Sequence, residues 1–318
     1  MAPPTRRLGR TLPDEDAVVR RIAGEFERVS GSPPPGDVWI GDDAAVLSVP
    51  PGRMVFATDA VVAGVHADLS LTGLDDLGWK ALTATLSDIG AVGGRAGHAV
   101  VDFCVAAGTD LDLLASGVAS ASAEWDCPVV GGDVTAASEV VVAVAAIGIL
   151  EGDDPPVLRS GASPGDRLFV TGPLGGSAAG LRLLRAGARE PASAIAAHRR
   201  PRARLLEGVV ARRAGATAMM DVSDGLALDL DRLARASAVG VALGAVPVAE
   251  GATEEEALGG GEDFELIIAT PSPDRVVDAF VSAGLRPPIE IGRCTADRVE
   301  RTLGGRRFER AGFQHALG

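Results

Sequence analysis

The sequence predicts a two-domain protein of mixed α and β structure. Short apolar segments rich in Val, Ile and Ala alternate with longer ones whose apolar residues recur at helical spacing. A stretch rich in Pro, Gly and charge, Glu151 to Asp166, separates one such alternation from a second. At 318 residues and 47% hydrophobic composition, the chain has material for two cores. The expected division is a flexible tail over 1–14, an N-terminal domain over 15–150 and a C-terminal domain over 151–318.

In the first alternation, "EDAVVRRIAGEFERV" puts Val18, Ile22, Phe26 and Val29 on one helical face. "GSPPPGD" (Gly31 to Asp37) reads as a stiff loop. "MVFATDAVV" (Met54 to Val62) reads as a strand because β-branched residues dominate it. "LDDLGWKALTATLSDIGAVGG" reads as a helix with Leu74, Leu77, Ala81, Leu82, Thr85, Leu86 and Ile89 on one face, ended by Gly90 to Gly94. Then follow strand "HAVVDFCVAA", helix "DLDLLASGVASASAEW", a short strand with a turn in "CPVVGGD", and strand "VVVAVAAIGIL". Such continuous apolar strands imply a sheet covered on both faces. In the second alternation the reading is strand "RLFVTG", helices "GSAAGLRLLRAG" and "ARLLEGVVARRAG", strand "TAMMDV", helix "LALDLDRLARASA", strand "FELIIAT" and helix "DRVVDAFVSAG".

Composition narrows the function. A formal charge of -13 opposes nucleic acid or anionic membrane as a main partner. It leaves small phosphorylated ligands open, since metal ions can stand between protein acids and phosphates. Cys104, Cys127 and Cys294 are odd in number and widely spaced, which points away from a disulfide framework or a thiolate zinc site. The N-terminus lacks an apolar signal-type core, and the longest apolar run, Val140 to Leu150, is too short to span a bilayer as a helix. A soluble cytoplasmic protein is the expectation.

The strongest signal is where the carboxylates sit. Asp42 and Asp43 follow Gly41; Asp59 interrupts an apolar strand after Thr58; Asp88 stands near the carboxyl end of an apolar helix; Asp133 ends "VVGGD". Asp221 and Asp224 flank Ser223, and Glu262 and Asp263 follow three glycines before a strand. An acid at a helix carboxyl end meets the negative end of the dipole, and one among apolar residues loses hydration. Nearby cations are few, Lys80 being the only lysine. Hard divalent cations such as Mg²⁺ resolve the conflict, taking carboxylate oxygens together with water and substrate phosphates. Taken singly, Asp43 also reads as a turn acid, Asp224 as a helix N-cap, Asp88 as a surface acid and Glu262 as a turn acceptor. Their shared placement, beside glycine at the edge of an apolar element, favours the joint reading. The flanking glycines let backbone amides approach phosphate oxygens. Lys80 lies in no P-loop, and the chain has neither a kinase catalytic loop nor a nucleophile elbow.

The segments "GDDAAV", "TDAVVAGVH", "KALTATLSDIGAVGG", "VVGGDVT", "RSGASPGD", "VTGPLGGSAAGL", "MMDVSDGLALDL" and "LGGGEDFEL" occur in the order seen in thiamine-monophosphate kinases. The chain resembles that family from about Glu15 to Gly318. The resemblance implies a two-domain α+β/α/β fold of the aminoimidazole ribonucleotide synthetase type, with an N-terminal mixed sheet that dimerises and a C-terminal α/β domain that completes the active site. It implies ATP-dependent phosphorylation of thiamine monophosphate to thiamine diphosphate, with several Mg²⁺ ions and ATP as co-substrate. Carried over by position, Asp43, Thr58, Asp59, Asp88, Asp133, Asp221 and Asp224 correspond to metal ligands, with Asp43, Asp88 and Asp221 as the catalytic set. Gly132, Asp133, Arg159 and Ser223 correspond to ATP contacts, and His66, Glu262 and Phe313 to contacts with the thiamine substrate. The chain departs in having no tyrosine, in Ala57 where relatives often carry serine, and in "GDVTAAS" without the usual Gly-Pro. Another ATP-using member of the superfamily and a non-catalytic metal or nucleotide binder are the alternatives.

Overall fold

The computed structural model describes residues 15–40, 44–48 and 52–314. The described residues form two sheets. The first uses β1 (Arg53–Val62), β2 (Arg95–Val105), β3 (Val129–Ala136) and β4 (Val141–Leu150), in the order β1-β4-β2-β3. β4 runs antiparallel to β1 and β2, and β2 pairs parallel with β3. Three helices accompany it: α1 (Glu15–Ser30), α2 (Leu74–Ala91) and α3 (Leu111–Glu124).

Burial alternates strictly along β4. Val142, Val144 and Ala146 face inward to Leu77, Leu82, Leu86, Leu114 and Val118 of α2 and α3. The alternate residues, Val141, Ala143, Ala145, Ile147 and Ile149, stay half-exposed. On β1, Met54 and Phe56 are 56% and 69% exposed. The expectation of a sheet covered on both faces does not hold for the described residues of the protomer: helices cover one face, and among those residues nothing covers the other, equally apolar, face. Strand-to-strand composition cannot distinguish a helix from a second protein as the cover.

The second sheet contains β5 (Arg167–Val170), β6 (Ala218–Asp221), β7 (Gly240–Leu243), β8 (Leu266–Thr270), β9 (Ile289–Thr295), β10 (Arg301–Leu303) and β11 (Arg306–Arg307). Their order is β11-β10-β7-β9-β5-β8-β6, antiparallel except for β10 against β7. Its helices are α4 (Gly176–Arg185), α5 (Ala192–Arg199), α6 (Leu205–Arg213), α7 (Leu226–Ala236), α8 (Glu254–Gly259) and α9 (Pro273–Ser282). This sheet is covered on both faces. Leu226, Leu230 and Leu233 of α7 pack with Val170, Met220 and Ile267. Ala211 of α6 and Val276 and Phe280 of α9 pack with Phe169, Met219 and Ile268.

α5, α8, β7, β9, β10 and β11 were not legible as elements, and β3 runs through Gly131 and Gly132 where a turn was expected. Gly132 permits this: it has φ 151° and passes so close to β2 that a Cβ would stand 1.9 Å from the Val101 carbonyl oxygen. Asp133 consequently lies inside β3, opposite Asp102, rather than at a strand end.

Helix α2 joins the two sheets. Trp79 Nε1 donates to the Pro201 carbonyl at 2.8 Å, and Ser87 Oγ to Asp221 Oδ2 at 2.6 Å. Arg212 Nε, from α6, donates to the Gly93 carbonyl just past the helix end at 3.0 Å. Among the described residues no helix is long and apolar enough to cross a membrane.

Candidate functional site

One stripe of α2 lines two neighbouring cavities. Ala91 and Asp88 face a cavity of about 570 Å³ with Ala57, Arg159, Met220 and Asp221. Ala84 and Lys80 face one of about 750 Å³ with Asp59, His66, Ser223, Asp224, Glu262 and Phe313. The positions 80, 84, 88 and 91 recur at i, i+4, i+8 and i+11, which keeps them on one side of a helix. Asp59, on β1 beside α2, lines the second cavity two residues from Ala57 in the first.

Electrostatics mark this region. Asp88 opens into the cavity yet is hemmed in by protein. Desolvation, then the Asp59 carboxylate, pushes it up to about 6, against the pull of Arg159. Asp221 is buried, and desolvation followed by the charge of Asp88 raises it to about 6, although the Ser87 hydroxyl and Arg159 favour its ionised form. Asp88 thus feels Asp59, Asp221 feels Asp88, and Arg159 is the cation that offsets the charge of both Asp88 and Asp221. The donors present, carboxylates with a neighbouring hydroxyl, suit a hard divalent cation. Among the described residues, no three acids, histidines or cysteines are gathered closely enough to hold a metal as they stand.

The Ser223–Asp224–Gly225 turn is built by Asp229. Its Oδ2 accepts from the amides of Ser223, Asp224 and Gly225 at 3.1, 2.9 and 3.1 Å. Burial pushes Asp229 up to about 6. Asp224 is not the N-cap of α7; Gly225 is. Instead Asp224 Oδ2 takes Arg232 Nη1 at 2.6 Å. The backbone of Glu262 returns to this turn, donating to the Ser223 carbonyl at 2.8 Å, and Phe313 N donates to the Asp224 carbonyl at 2.9 Å. Asp263 caps the start of α4, accepting from Gly175 N at 2.6 Å and Ser177 N at 3.2 Å. Burial pushes it up to about 7. Phe313 meets His66 edge to face, with ring centroids 6.5 Å apart, and His66 Nδ1 accepts from Val62 N at 2.9 Å.

Of the residues singled out from sequence, Asp59, His66, Asp88, Arg159, Asp221, Ser223, Asp224, Glu262 and Phe313 come together around the two cavities. Thr58 faces the other side of β1 from Asp59, and its Oγ1 donates to the Val144 carbonyl at 3.0 Å. Gly132 and Asp133 stand apart, in a small groove with Ile22, Phe26 and Ile40. They lie on β3 and Asp59 on β1, at opposite edges of the sheet. Three strand spacings, about 14 Å, separate those edges. Asp42 and Asp43 lie outside the described residues. Sequence reading gave no site role to the buried contributors Lys80, Ser87 and Asp229. Asp229 carried a usable signal, being an acid inside an apolar helical stripe.

Residues 41–150 match the model for AIR synthase related protein, N-terminal domain, and residues 163–304 that for the C-terminal domain. The thiamine-monophosphate kinase of Halobacterium salinarum is 40% identical over 320 residues, covering 95% of this chain and 100% of the relative. The crystal structure of thiamine-monophosphate kinase from Stenotrophomonas maltophilia superposes with a TM-score of 0.78 at 28% identity, covering 91% of this chain and 96% of the other. AaThiL complexed with AMPPCP and TMP superposes with a TM-score of 0.74 at 29% identity, covering 96% and 99%.

Proposed function

The chain belongs to the AIR synthase related family and within it to the thiamine-monophosphate kinases, and from that premise we propose that it transfers the γ-phosphoryl group of ATP directly to thiamine monophosphate, giving thiamine diphosphate. The observation that carries this reading is the single stripe of α2 shared by an acid-lined cavity and an aromatic- and carboxylate-lined one. One holds polyphosphate and cations; the other holds the acceptor.

The acceptor oxygen is already anionic at neutral pH, so no strong base is needed. The physical problem is the approach of two polyanions. Asp59, Asp88 and Asp221, with Asp224 and the undescribed Asp43, are the residues that would hold Mg²⁺. Bound there, Mg²⁺ supplies neutralisation of phosphate charge. Arg159 adds a fixed positive charge at the same place. The Ser223 turn, held rigid by Asp229, positions nucleotide and acceptor relative to each other. His66 and Phe313 offer ring faces to a flat heterocycle, and Glu262 offers a carboxylate to its polar edge or to a ring cation.

Asp133 and Gly132 enter through a homodimer. The bare apolar face of the first sheet, with Met54 and Phe56 exposed at its edge, suits a second copy packed sheet to sheet. Among the described residues β1 and β3 are the two edge strands, and a two-fold axis running along the strands would bring β3 of one copy beside β1 of the other. Asp133 then joins Asp59 in the site of the second copy.

The test is direct. The protein is incubated with thiamine monophosphate, ATP and Mg²⁺, with an EDTA control, and the products are separated. Thiamine diphosphate and ADP in equal amounts, lost with EDTA, are expected. ATP binding without product would sink the reading in favour of a nucleotide-binding regulator.

A further inference from the structure

Lys80 is the chain's only lysine, and it is 2% exposed in the middle of α2. Burying an ammonium is costly unless its N–H groups find acceptors. Nζ donates to Glu262 Oε2 at 2.7 Å and to the His66 carbonyl oxygen at 3.0 Å. These acceptors come from distant places: the turn after β1, and the segment before β8. Both belong to the 750 Å³ cavity. A compact charge with several donors on a flexible stem can reach both; a planar guanidinium would need more room.

Glu262 is also fixed from its backbone. It has φ 65° and Phe264 has φ 50°, left-handed conformations that non-glycine residues adopt only when their surroundings impose them. Other titratable groups lining the same cavity are Asp59, Asp68, Asp224, Arg185 and His198. Burial first, then the charge of Lys80, keeps His198 neutral.

We propose that Lys80 is a positioning residue for the acceptor: it fixes the Glu262 carboxylate against the His66 turn, and so sets the spacing of the groups that grip the acceptor's ring. Lys80 stands eight residues from Asp88 on one helix, about 12 Å along the axis, so it acts at the ring end of the acceptor rather than at the phosphates. This rests on the phosphotransfer reading above.

Two measurements test it. Because there is one lysine, ε-¹⁵N-lysine labelling gives one side-chain ammonium resonance. It is expected to shift on Glu262→Gln and on addition of thiamine monophosphate to the wild type. In kinetics, Lys80→Met is expected to raise KM for thiamine monophosphate at least about tenfold, with kcat changed less than about threefold and KM for ATP less than about twofold. The effect should vanish in a Glu262→Gln background, because the carboxylate it orients is gone. A purely structural lysine would instead lower the melting temperature, move all the constants together and add to Glu262→Gln. That pattern, an unchanged acceptor KM, or a resonance indifferent to Glu262→Gln overturns the proposal. If Lys80→Met does not fold, the labelled Glu262→Gln protein decides. A wild type that forms no thiamine diphosphate overturns the phosphotransfer reading itself, a different result from an active wild type with an unaffected Lys80 variant.

Discussion

At the scale of single residues, activity and stability should move in opposite directions. Asp88 is raised to about 6 by desolvation and then by the Asp59 carboxylate, and Asp221 to about 6 by desolvation and then by Asp88. Neutralising either relieves that repulsion in the metal-free fold. Asp88→Asn and Asp221→Asn are therefore expected to lose roughly 100-fold or more in kcat, while the melting temperature with EDTA stays level or rises. A variant that loses stability and activity together would contradict this account. His198 gives the pH counterpart. Burial, then the charges of Lys80, Arg199 and Arg185, push it down to about 3. The unfolded chain, with histidine near about 6.5, binds the proton more readily than the native one. Stability from this group is complete above about pH 6.5 and declines as pH falls toward about 3. Denaturant midpoints at pH 7 and pH 4.5 should differ less in His198→Gln than in the wild type; equal differences would exclude the effect. Asp88 and Asp221 were legible in the sequence because an acid in an apolar frame is conspicuous. Lys80 was noticed only as a lone cation, because its partner Glu262 is 182 positions away. Spacing along a chain does not report such a contact.

At the scale of elements, the helices that place the site depend on two glycines at one crossing. α2 and α3 approach so closely that a Cβ on Gly117 would lie 1.9 Å from the Asp75 carbonyl oxygen, and one on Gly78 2.3 Å from that of Leu114. Backbone cannot yield as a side-chain tip can. Gly117→Ala is expected to cost about 1–3 kcal/mol through overpacking. It should also depress turnover, since tilting α2 moves Asp88 and Lys80 together. Gly24 in α1 is the control: nothing lies within 4 Å of its Cβ position. Gly24→Ala should gain about 0.5–1 kcal/mol through helix propensity alone. Urea midpoints of the two variants check both signs. Elements with long periodic stretches, such as α1, α2 and α7, were legible in the sequence. β7 and β10, of 4 and 3 residues, were not, because a strand that short gains its identity from its neighbours. β9 failed for a different reason: Glu290 and Arg293 break its apolar pattern, yet it sits between β7 and β5.

At the scale of the whole molecule, the fold poses a question about Asp133 that the sequence could not. The order β1-β4-β2-β3 puts Asp133 and Asp59 on opposite edges, and residue spacing says nothing of strand order. If the bare face of the first sheet binds a second copy, each site combines Asp59, Asp88 and Asp221 of one chain with Asp133 of the other. This has a consequence that no single-chain site can imitate. Asp88→Asn and Asp133→Asn homodimers should each be nearly inactive. A heterodimer of the two carries one site with both defects and one with neither. Co-expressed with different tags and allowed to assort at random, half the dimers are mixed, so activity should recover to about a quarter of the wild type. Phe56→Asp, which places a charge on the 69% exposed edge of the same face, should shift sedimentation toward the monomer and abolish that recovery. If the mixture is no more active than its components while sedimenting as a dimer, Asp133 serves no partner's site.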